Sequence, residues 1–235
     1  MERENVIGFF LFVFGLVLTI LLVILLPETP LVALSVSIVL LGLVLSTLVF
    51  TPVPQRAVVV LMKSLALQIE AMLEEFKPEK TAVYVYRDDD EVVVAAVPIR
   101  VTVDLPALID AILESPFRTV FVSASGSCLE LLPPATKIKE LLGEVETEDV
   151  EPAVVSVLST MLEIAEDVKV TSEANRIYLA YTPIVDLELP RFNECMGSLP
   201  TSVAACIIAY VTKKKVKFVR EDNVKSKVYA VFETW

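Results

Sequence analysis

The chain contains no histidine among its 235 residues, and this absence removes more chemistry than any other feature of its composition. Histidine is the usual general base near neutral pH, activates serine and cysteine nucleophiles, and is a frequent zinc ligand. Cysteine is scarce as well: Cys128, Cys195 and Cys206 lie far apart, unlike a secreted disulfide framework or a zinc motif. Any chemistry must therefore use carboxylates, lysines, backbone amides or a lone thiol, and we expect no enzyme activity and no cofactor.

Charge is absent from two long stretches near the N-terminus. Val6–Leu26 and Leu31–Phe50 contain no charged residue and no proline, and only Pro27–Pro30 separates them. Each run has about 20 residues, and a helix of that length spans the roughly 30 Å hydrocarbon core of a bilayer. Both runs are apolar on every face, unlike a soluble helix with one apolar stripe. The pattern predicts a transmembrane helical hairpin over residues 1–53, with helices at about 6–26 and 31–50.

The start of the chain is unlike a cleaved signal peptide, because residues 2–4 are net acidic and no small-residue cleavage site follows the first run. Lysine and arginine near membrane ends indicate the cytoplasmic side. Arg3 precedes the first run, Arg56 and Lys63 follow the second, and the short loop has neither residue type. We therefore expect a multi-pass protein of the cell membrane with both termini in the cytoplasm.

Small residues indicate how the two membrane helices pair, because they let helices approach closely in lipid. Reflection about the loop places Gly15 opposite Gly42. Spacings of seven put Gly8 with Gly15 on one helix face, and Ser35 with Gly42 on one face of the other. The predicted helix-pairing residues are thus Gly8, Gly15, Ser35, Gly42 and Ser46. The alternatives are that lipid merely tolerates these residues, or that the same face pairs with another subunit.

The net charge of −11 is unevenly distributed. The last 24 residues carry seven lysines and arginines against three acids, whereas the preceding soluble part is strongly acidic. An acidic body argues against nucleic-acid binding. The basic patch of Lys213, Lys214, Lys215 and Lys217 can contact anionic lipid or an acidic partner, or neutralise the chain's own acidic half. A strand pair with lysines turned to solvent is the simplest interpretation.

After the hairpin, periodicity predicts one α+β domain over residues 54–235. Helical spacing covers Pro54–Phe76, with Glu70 away from the apolar stripe. Strands follow at 81–87 and 91–103, a helix capped by Asp104 at 105–114, a strand at 117–123 and a short helix at 135–142. The second part gives a helix at 151–164, strands at 167–171 and 176–189, an apolar helix at 200–211 and a strand at 215–220.

The two parts show the same order of helix, strand, strand, helix, strand. Residues 98–106 also resemble residues 183–190, since each stretch begins with Pro-Ile and ends with Leu-Pro. The repeat suggests an internal duplication with halves 54–143 and 150–235, related by a pseudo-twofold axis with a groove between them. Chance similarity between proline-bounded strands is the alternative.

Two short stretches are candidates for chemistry. Cys195 lies just before a predicted helix N-terminus, where a thiol is activated, but Glu194 opposes the thiolate and no histidine is present. Ser127 belongs to a Ser-Gly-Ser-Cys stretch after a strand, the setting of an anion-binding nest, but without the pattern of a phosphate loop. We expect no catalytic, cofactor-binding or metal-binding residues, with Cys195 as a weak thiol candidate.

The layout resembles a family of uncharacterised archaeal membrane proteins. The similar features are the two-helix hairpin, the Thr51-Pro52 break, the Tyr84-Val85-Tyr86 hairpin and the stretch Gly197–Ala205 before an alanine-rich helix. The resemblance implies an archaeal source and no known activity. Residues 195–232 are also faintly similar to the end of the four-vinyl-reductase-type ligand-binding domain, but the final hairpin here lacks that family's cysteines.

Together these features predict a membrane-anchored accessory or scaffold protein whose acidic cytoplasmic domain binds a protein partner or self-associates. One alternative is a membrane-tethered sensor that binds a small apolar ligand between the halves or beside the 203–211 helix. The other is a thiol or serine enzyme that uses Cys195 or Ser127.

Overall fold

A computed structural model describes residues 2–25, 31, 35–41, 43, 55–99, 104–142, 149–184 and 187–235. The chain divides into two compact units, Met1–Ala57 and Val58–Trp235. In the first unit, α1 (Glu2–Leu25) contains the first predicted membrane run except its last residue. Residues 35–41 of the second run are helical as well. Most of the remainder of that run and the predicted boundary at residue 53 lie outside the described residues.

The second unit follows the predicted order closely, with two added strands. Its helices are α2 (Gln55–Phe76, which begins in the first unit), α3 (Leu105–Leu113), α4 (Ile138–Leu142), α5 (Val150–Val155, continued by a π-helix at Ser156–Met161), α6 (Pro190–Met196) and α7 (Leu199–Thr212). Its strands are β1 (Val83–Arg87), β2 (Val92–Pro98), β3 (Val120–Ser123), β4 (Gly126–Leu131), β5 (Ala165–Glu173), β6 (Arg176–Pro183), β7 (Val216–Val224) and β8 (Lys227–Thr234).

Local sequence signals explain several of these boundaries. The predicted cap of α3 is confirmed, because the Asp104 side chain accepts a hydrogen bond from the backbone N–H of Ala107 at 3.2 Å. Pro106 lies in the first turn of that helix, where a backbone N–H has no helical acceptor and the N–H that proline lacks is not needed. Likewise α7 begins with Leu199-Pro200 and ends at Lys213, which has the left-handed backbone of a helix C-terminus.

All eight strands form one antiparallel sheet in the order β3-β4-β2-β1-β7-β8-β6-β5, which confirms the α+β class. The two halves meet where β1 pairs with β7 through Val83–Lys217 and Tyr84–Val216. Because these paired residues are far apart in the sequence, no local pattern predicts their contact. Because the sheet continues through this pairing, no groove lies between the strands of the two halves.

Each half of the sheet has the same internal order. From left to right the first half reads third, fourth, second and first strand, and the second half repeats that order. A twofold axis would reverse the order in one half, so the pseudo-twofold expectation is wrong for the sheet. Each half also has one strand more than predicted, because β4 and β8 follow directly on tight turns after β3 and β7.

The main core lies between one face of the sheet and helix α7. Every residue of α7 from Leu199 to Ala209 is buried. Pro190–Thr212 is the one stretch of the described residues long and apolar enough to cross a membrane, but 78% of its apolar window is buried inside the protein. This stretch is therefore a core element, as its burial on several sides requires. A smaller cluster forms where α3 covers the other face over β1–β4, with Ile109 and Phe121 among its members.

Candidate functional site

The corner between α6 and α7 holds a group of connected polar side chains in the core. The chain turns there at Gly197, whose φ of +79° suits glycine. A Cβ atom at this position would lie only 2.4 Å from Thr201 Cγ2. Glycine is therefore required both by the backbone angle and by the close approach of the next helical turn. The corner lies within the Gly197–Ala205 stretch that the sequence analysis singled out.

Two carboxylates from distant parts of the chain fix the two helix starts at this corner. Glu70 of α2 accepts the backbone N–H groups of Arg191 at 3.1 Å and Phe192 at 2.5 Å. Glu221 of β7 accepts the backbone N–H of Ser198 at 2.9 Å, just before α7. Acids are favourable at helix N-termini because they satisfy free N–H groups and the helix dipole. Glu70, expected at the solvent-facing side of its helix, is instead buried.

Buried hydroxyl groups connect the corner to the sheet. Tyr181 of β6 has its hydroxyl oxygen 2.5 Å from Ser198 Oγ and 2.8 Å from Thr201 Oγ1. Tyr84 of β1 has its hydroxyl oxygen 2.9 Å from both Ser202 Oγ and the Met196 carbonyl oxygen. Burial, followed by the nearby Cys206, raises the pKa of Tyr84 well above its ordinary value. Tyr84 is therefore protonated near neutral pH, and its hydroxyl can donate a hydrogen bond within the network.

A cavity of about 150 Å³ opens beside this corner and the β7–β8 hairpin. Its lining is largely polar and comprises Pro183, Asn193, Ser198, Glu221, Asn223, Lys225, Ser226, Lys227 and Val228. Asn193 Oδ1 is buried and has no hydrogen-bond partner among the described residues. Pockets for drug-sized ligands measure roughly 300–1,000 Å³ and are mostly apolar. This cavity is smaller than such pockets and has room for a few waters or a small chemical group.

The structure does not activate the candidate thiol. Cys195 lies in the last turn of α6, four residues before α7 begins, and its side chain is buried. Burial, followed by Glu194, raises its pKa to about 11. Burial similarly raises the pKa of Cys128 to about 12 and that of Cys206 beyond the ordinary range. At neutral pH all three thiols are protonated and packed as small apolar side chains.

Ser127, the serine candidate, belongs to a hairpin rather than to an anion-binding nest. It pairs with Val122 across β3 and β4, and the turn between these strands is held by Ser123 Oγ, which accepts the N–H of Ser125 at 3.2 Å. Among the described residues, no three histidine, cysteine, aspartate or glutamate side chains are grouped to hold a metal ion.

The predicted basic patch is divided among separate contacts. Lys213 Nζ lies 3.4 Å from the ring centre of Tyr86 and 4.1 Å from that of Tyr210, a cation–π arrangement. Lys215 Nζ contacts Asp110 of α3 at 2.5 Å. Lys217 opposes Val83 in the sheet, and Lys214 is exposed. Two of the four lysines thus stabilise the domain's own packing.

The helix-pairing residues are partly described. Gly15 is buried against the second helical segment, where a Cβ atom would lie 2.9 Å from the Val39 nitrogen and 3.1 Å from Ile38 Cγ2. The structure therefore has a close helix approach at Gly15, with neighbours about one helical turn nearer the loop than the predicted Gly42. Ser35 is buried too, and Gly8 lies in α1. Gly42 and Ser46 lie outside the described residues.

Sequence reasoning missed the residues that organise the corner: Glu70, Tyr84, Tyr181 and Glu221. No local signal could have found Glu70, because it lies away from the apolar stripe of its predicted helix. Comparison with protein-family models, with curated proteins and with solved structures finds no match. The resemblances stated from the sequence therefore stay predictions.

Proposed function

We propose that this chain is a membrane-anchored accessory or scaffold protein whose α+β domain lies in the cytoplasm and binds a protein partner or a second copy. The main support is the open edge of β3. In the first half of the sheet β3 holds the position that β7 holds in the second half, and β7 pairs with β1. Among the described residues no strand covers the outer edge of β3, so its backbone can pair with another chain.

Apolar side chains accompany this open edge. Val122 is 73% exposed, and Phe117, Val120 and Leu132 are exposed nearby along the chain or on the paired strand. The opposite edge strand, β5, differs because it has a register shift between Glu166 and Lys169 and carries charged side chains. Bulges and charges are devices that prevent strand addition. The contrast between the two edges favours β3 as the docking edge.

The matching strand orders support the proposed duplication of the domain. Each half has a helix, two strands, a helical connection and two strands, with the same neighbour relations in the sheet. In such a pair the contact of β1 with β7 joins two repeats edge to edge. β3 is the equivalent of β7 at the end of the sheet, so a further chain can pair with β3 in the way that β1 pairs with β7.

The anchor is supported by the side of α1 that faces away from Gly15. The exposed residues there are all large and apolar, namely Val13, Phe14, Val17, Ile20, Leu21 and Ile24. A helix in water exposes polar side chains on its outer side, whereas lipid favours apolar ones. Close packing at Gly15 fits a pair of membrane helices. The positions of Arg3, Arg56 and Lys63 support cytoplasmic termini.

One experiment tests the docking function. The full chain is extracted from native membranes in mild detergent, and the mass of the complex is measured by light scattering. We expect a stoichiometric complex with a protein partner or a homo-oligomer, which Val122→Lys dissociates and Thr171→Lys on β5 leaves intact. A monomer without any stoichiometric partner would overturn the proposal. Separately, a periplasmic reporter fused after Trp235 should be inactive if the termini are cytoplasmic.

A further inference from the structure

The exposed side of α2 changes character along the helix axis. In its first part the exposed residues include Val60, Leu61, Leu65 and Leu67, with Leu61 63% exposed. In its last part they include Gln68, Glu74 and Glu75, together with Ala71 and with Phe76, which is 38% exposed. A soluble amphipathic helix changes polarity around its axis, whereas a helix that leaves a bilayer changes polarity along it. The change in α2 is of the second kind.

Packing against the domain does not explain this gradient. The buried residues of α2 are Met62, Ala66, Ile69, Glu70 and Leu73, so the buried face runs through both parts of the helix. The same domain therefore supports both parts, and only the surroundings on the open side can account for the difference.

The polar groups in the first part are compatible with an apolar surrounding. Ser64 Oγ donates to the Val60 carbonyl oxygen at 2.9 Å, so its hydroxyl is satisfied within the helix. Lys63 has a long apolar stem that lets its ammonium reach a polar layer. It borders an open cavity of about 420 Å³ that is also lined by Leu67, Leu187, Glu188 and Leu189. The lining of this cavity thus combines three leucines from two segments with one basic and one acidic side chain.

We propose that the first part of α2, residues 60–67, lies in the boundary layer of the bilayer, with Lys63 at the lipid phosphates. This inference rests on the proposed membrane anchor. Val60 follows Phe50 by ten positions along the chain, which limits their distance to at most about 35 Å. The rise from residue 60 to residue 67 is about 10 Å along a helix, similar to the depth of the headgroup and acyl boundary.

Depth measurements on the full chain in vesicles test the proposal. The three native cysteines are buried, so an introduced surface cysteine takes a fluorescent label selectively. Leu61→Cys and Leu65→Cys report on the first part of α2, Glu75→Cys on the last part and Val17→Cys on α1. The vesicles contain equal amounts of phosphatidylcholine and phosphatidylglycerol. We expect labels at 61 and 65 to be quenched several-fold more by lipid-bound nitroxide than the label at 75.

The controls separate two kinds of failure. If labels at 61 and 65 behave as the label at 75 while the label at 17 is in lipid, the boundary placement is overturned and the anchor stands. If the label at 17 is also in water, the anchor fails and the boundary placement fails with it. Two reporter positions keep the test decisive should one variant fold poorly.

Discussion

The buried carboxylate of Glu70 accepts the backbone N–H of Arg191 at 3.1 Å and so joins α2 to the start of α6. Its second oxygen accepts the N–H of Phe192. One side chain thus satisfies two of the N–H groups that a helix start leaves without partners. Residues more than a hundred positions apart are held together at the corner where the polar network lies.

Glu70→Ala should lower the free energy of unfolding by about 1–3 kcal/mol, because two buried N–H groups lose their acceptor. Glu70→Gln keeps one acceptor oxygen and should lose less. Urea unfolding of the full chain in detergent, followed by circular dichroism, measures both. Glu74→Ala on the exposed side of the same helix is the matched control and should be neutral. Equal stability of the Glu70→Ala and Glu74→Ala variants would contradict the capping role.

Gly197→Ala should destabilise the protein by about 1–3 kcal/mol, because alanine is strained at a φ of +79° and its Cβ meets Thr201. Thr201→Ser removes the Cγ2 methyl group but keeps the hydroxyl near Tyr181. Adding it to Gly197→Ala should recover part of the loss, while the backbone strain remains. Thermal unfolding of the two variants and the double variant gives the comparison. Full recovery would show that only the contact, and not the backbone angle, requires glycine.

Cys195 should react with iodoacetamide at pH 7.5 at least about 100-fold more slowly than an unhindered thiol, because its pKa is raised from 9.0 to about 11. An exposed cysteine in the Glu75→Cys variant provides the internal reference for the rate. Mass spectrometry of the labelled peptides assigns each site. Labelling of Cys195 as fast as the reference would favour the thiol-enzyme alternative.

The stability of the native protein should fall as the pH rises above 9. The native Cys195 and Cys128 thiols have pKa values of about 11 and about 12, against 9.0 for an unperturbed thiol, so the native state binds more protons than the unfolded state in this range. The contribution of these thiols to the free energy of unfolding is fully present below pH 9. Above pH 9 the free energy of unfolding falls by about 1 kcal/mol per pH unit for each thiol, until the pH reaches the native pKa of about 11 or about 12. Urea midpoints between pH 8 and pH 10.5 measure the slope, which Cys195→Ala should reduce. A midpoint that rises over this range would contradict the expectation.

Gly15→Leu should separate α1 from the second helical segment, since even a Cβ atom would lie 2.9 Å from the Val39 nitrogen. The loss of close packing should lower the thermal midpoint of the full chain in detergent. Val17→Leu, on the exposed side of α1, is the control and should leave the midpoint unchanged. An unchanged midpoint in both variants would show that the pair tolerates a larger separation.

The sequence predicts the elements whose signals are local. The Asp104 cap and the apolar run of α7 depend on spacing within one helix, and both are found in the structure. The first hairpin of the domain is found near the predicted residues for the same reason, since valine-rich runs flank an acidic turn. In contrast, β4 begins Gly-Ser-Cys and contains a buried glutamate, Glu130, so its composition resembles a turn.

Local pattern alone determined that the chain is an α+β domain preceded by two long apolar runs, because periodicity and charge are set by neighbouring residues. Only the tertiary structure decided that β1 pairs with β7, that Glu70 is buried at the start of α6, and that Gly15 contacts Ile38 and Val39. These contacts join distant segments, and their energies depend on which backbone groups need partners once the chain is compact. The same compaction leaves β3 at one edge of the sheet, where we propose that a second chain binds.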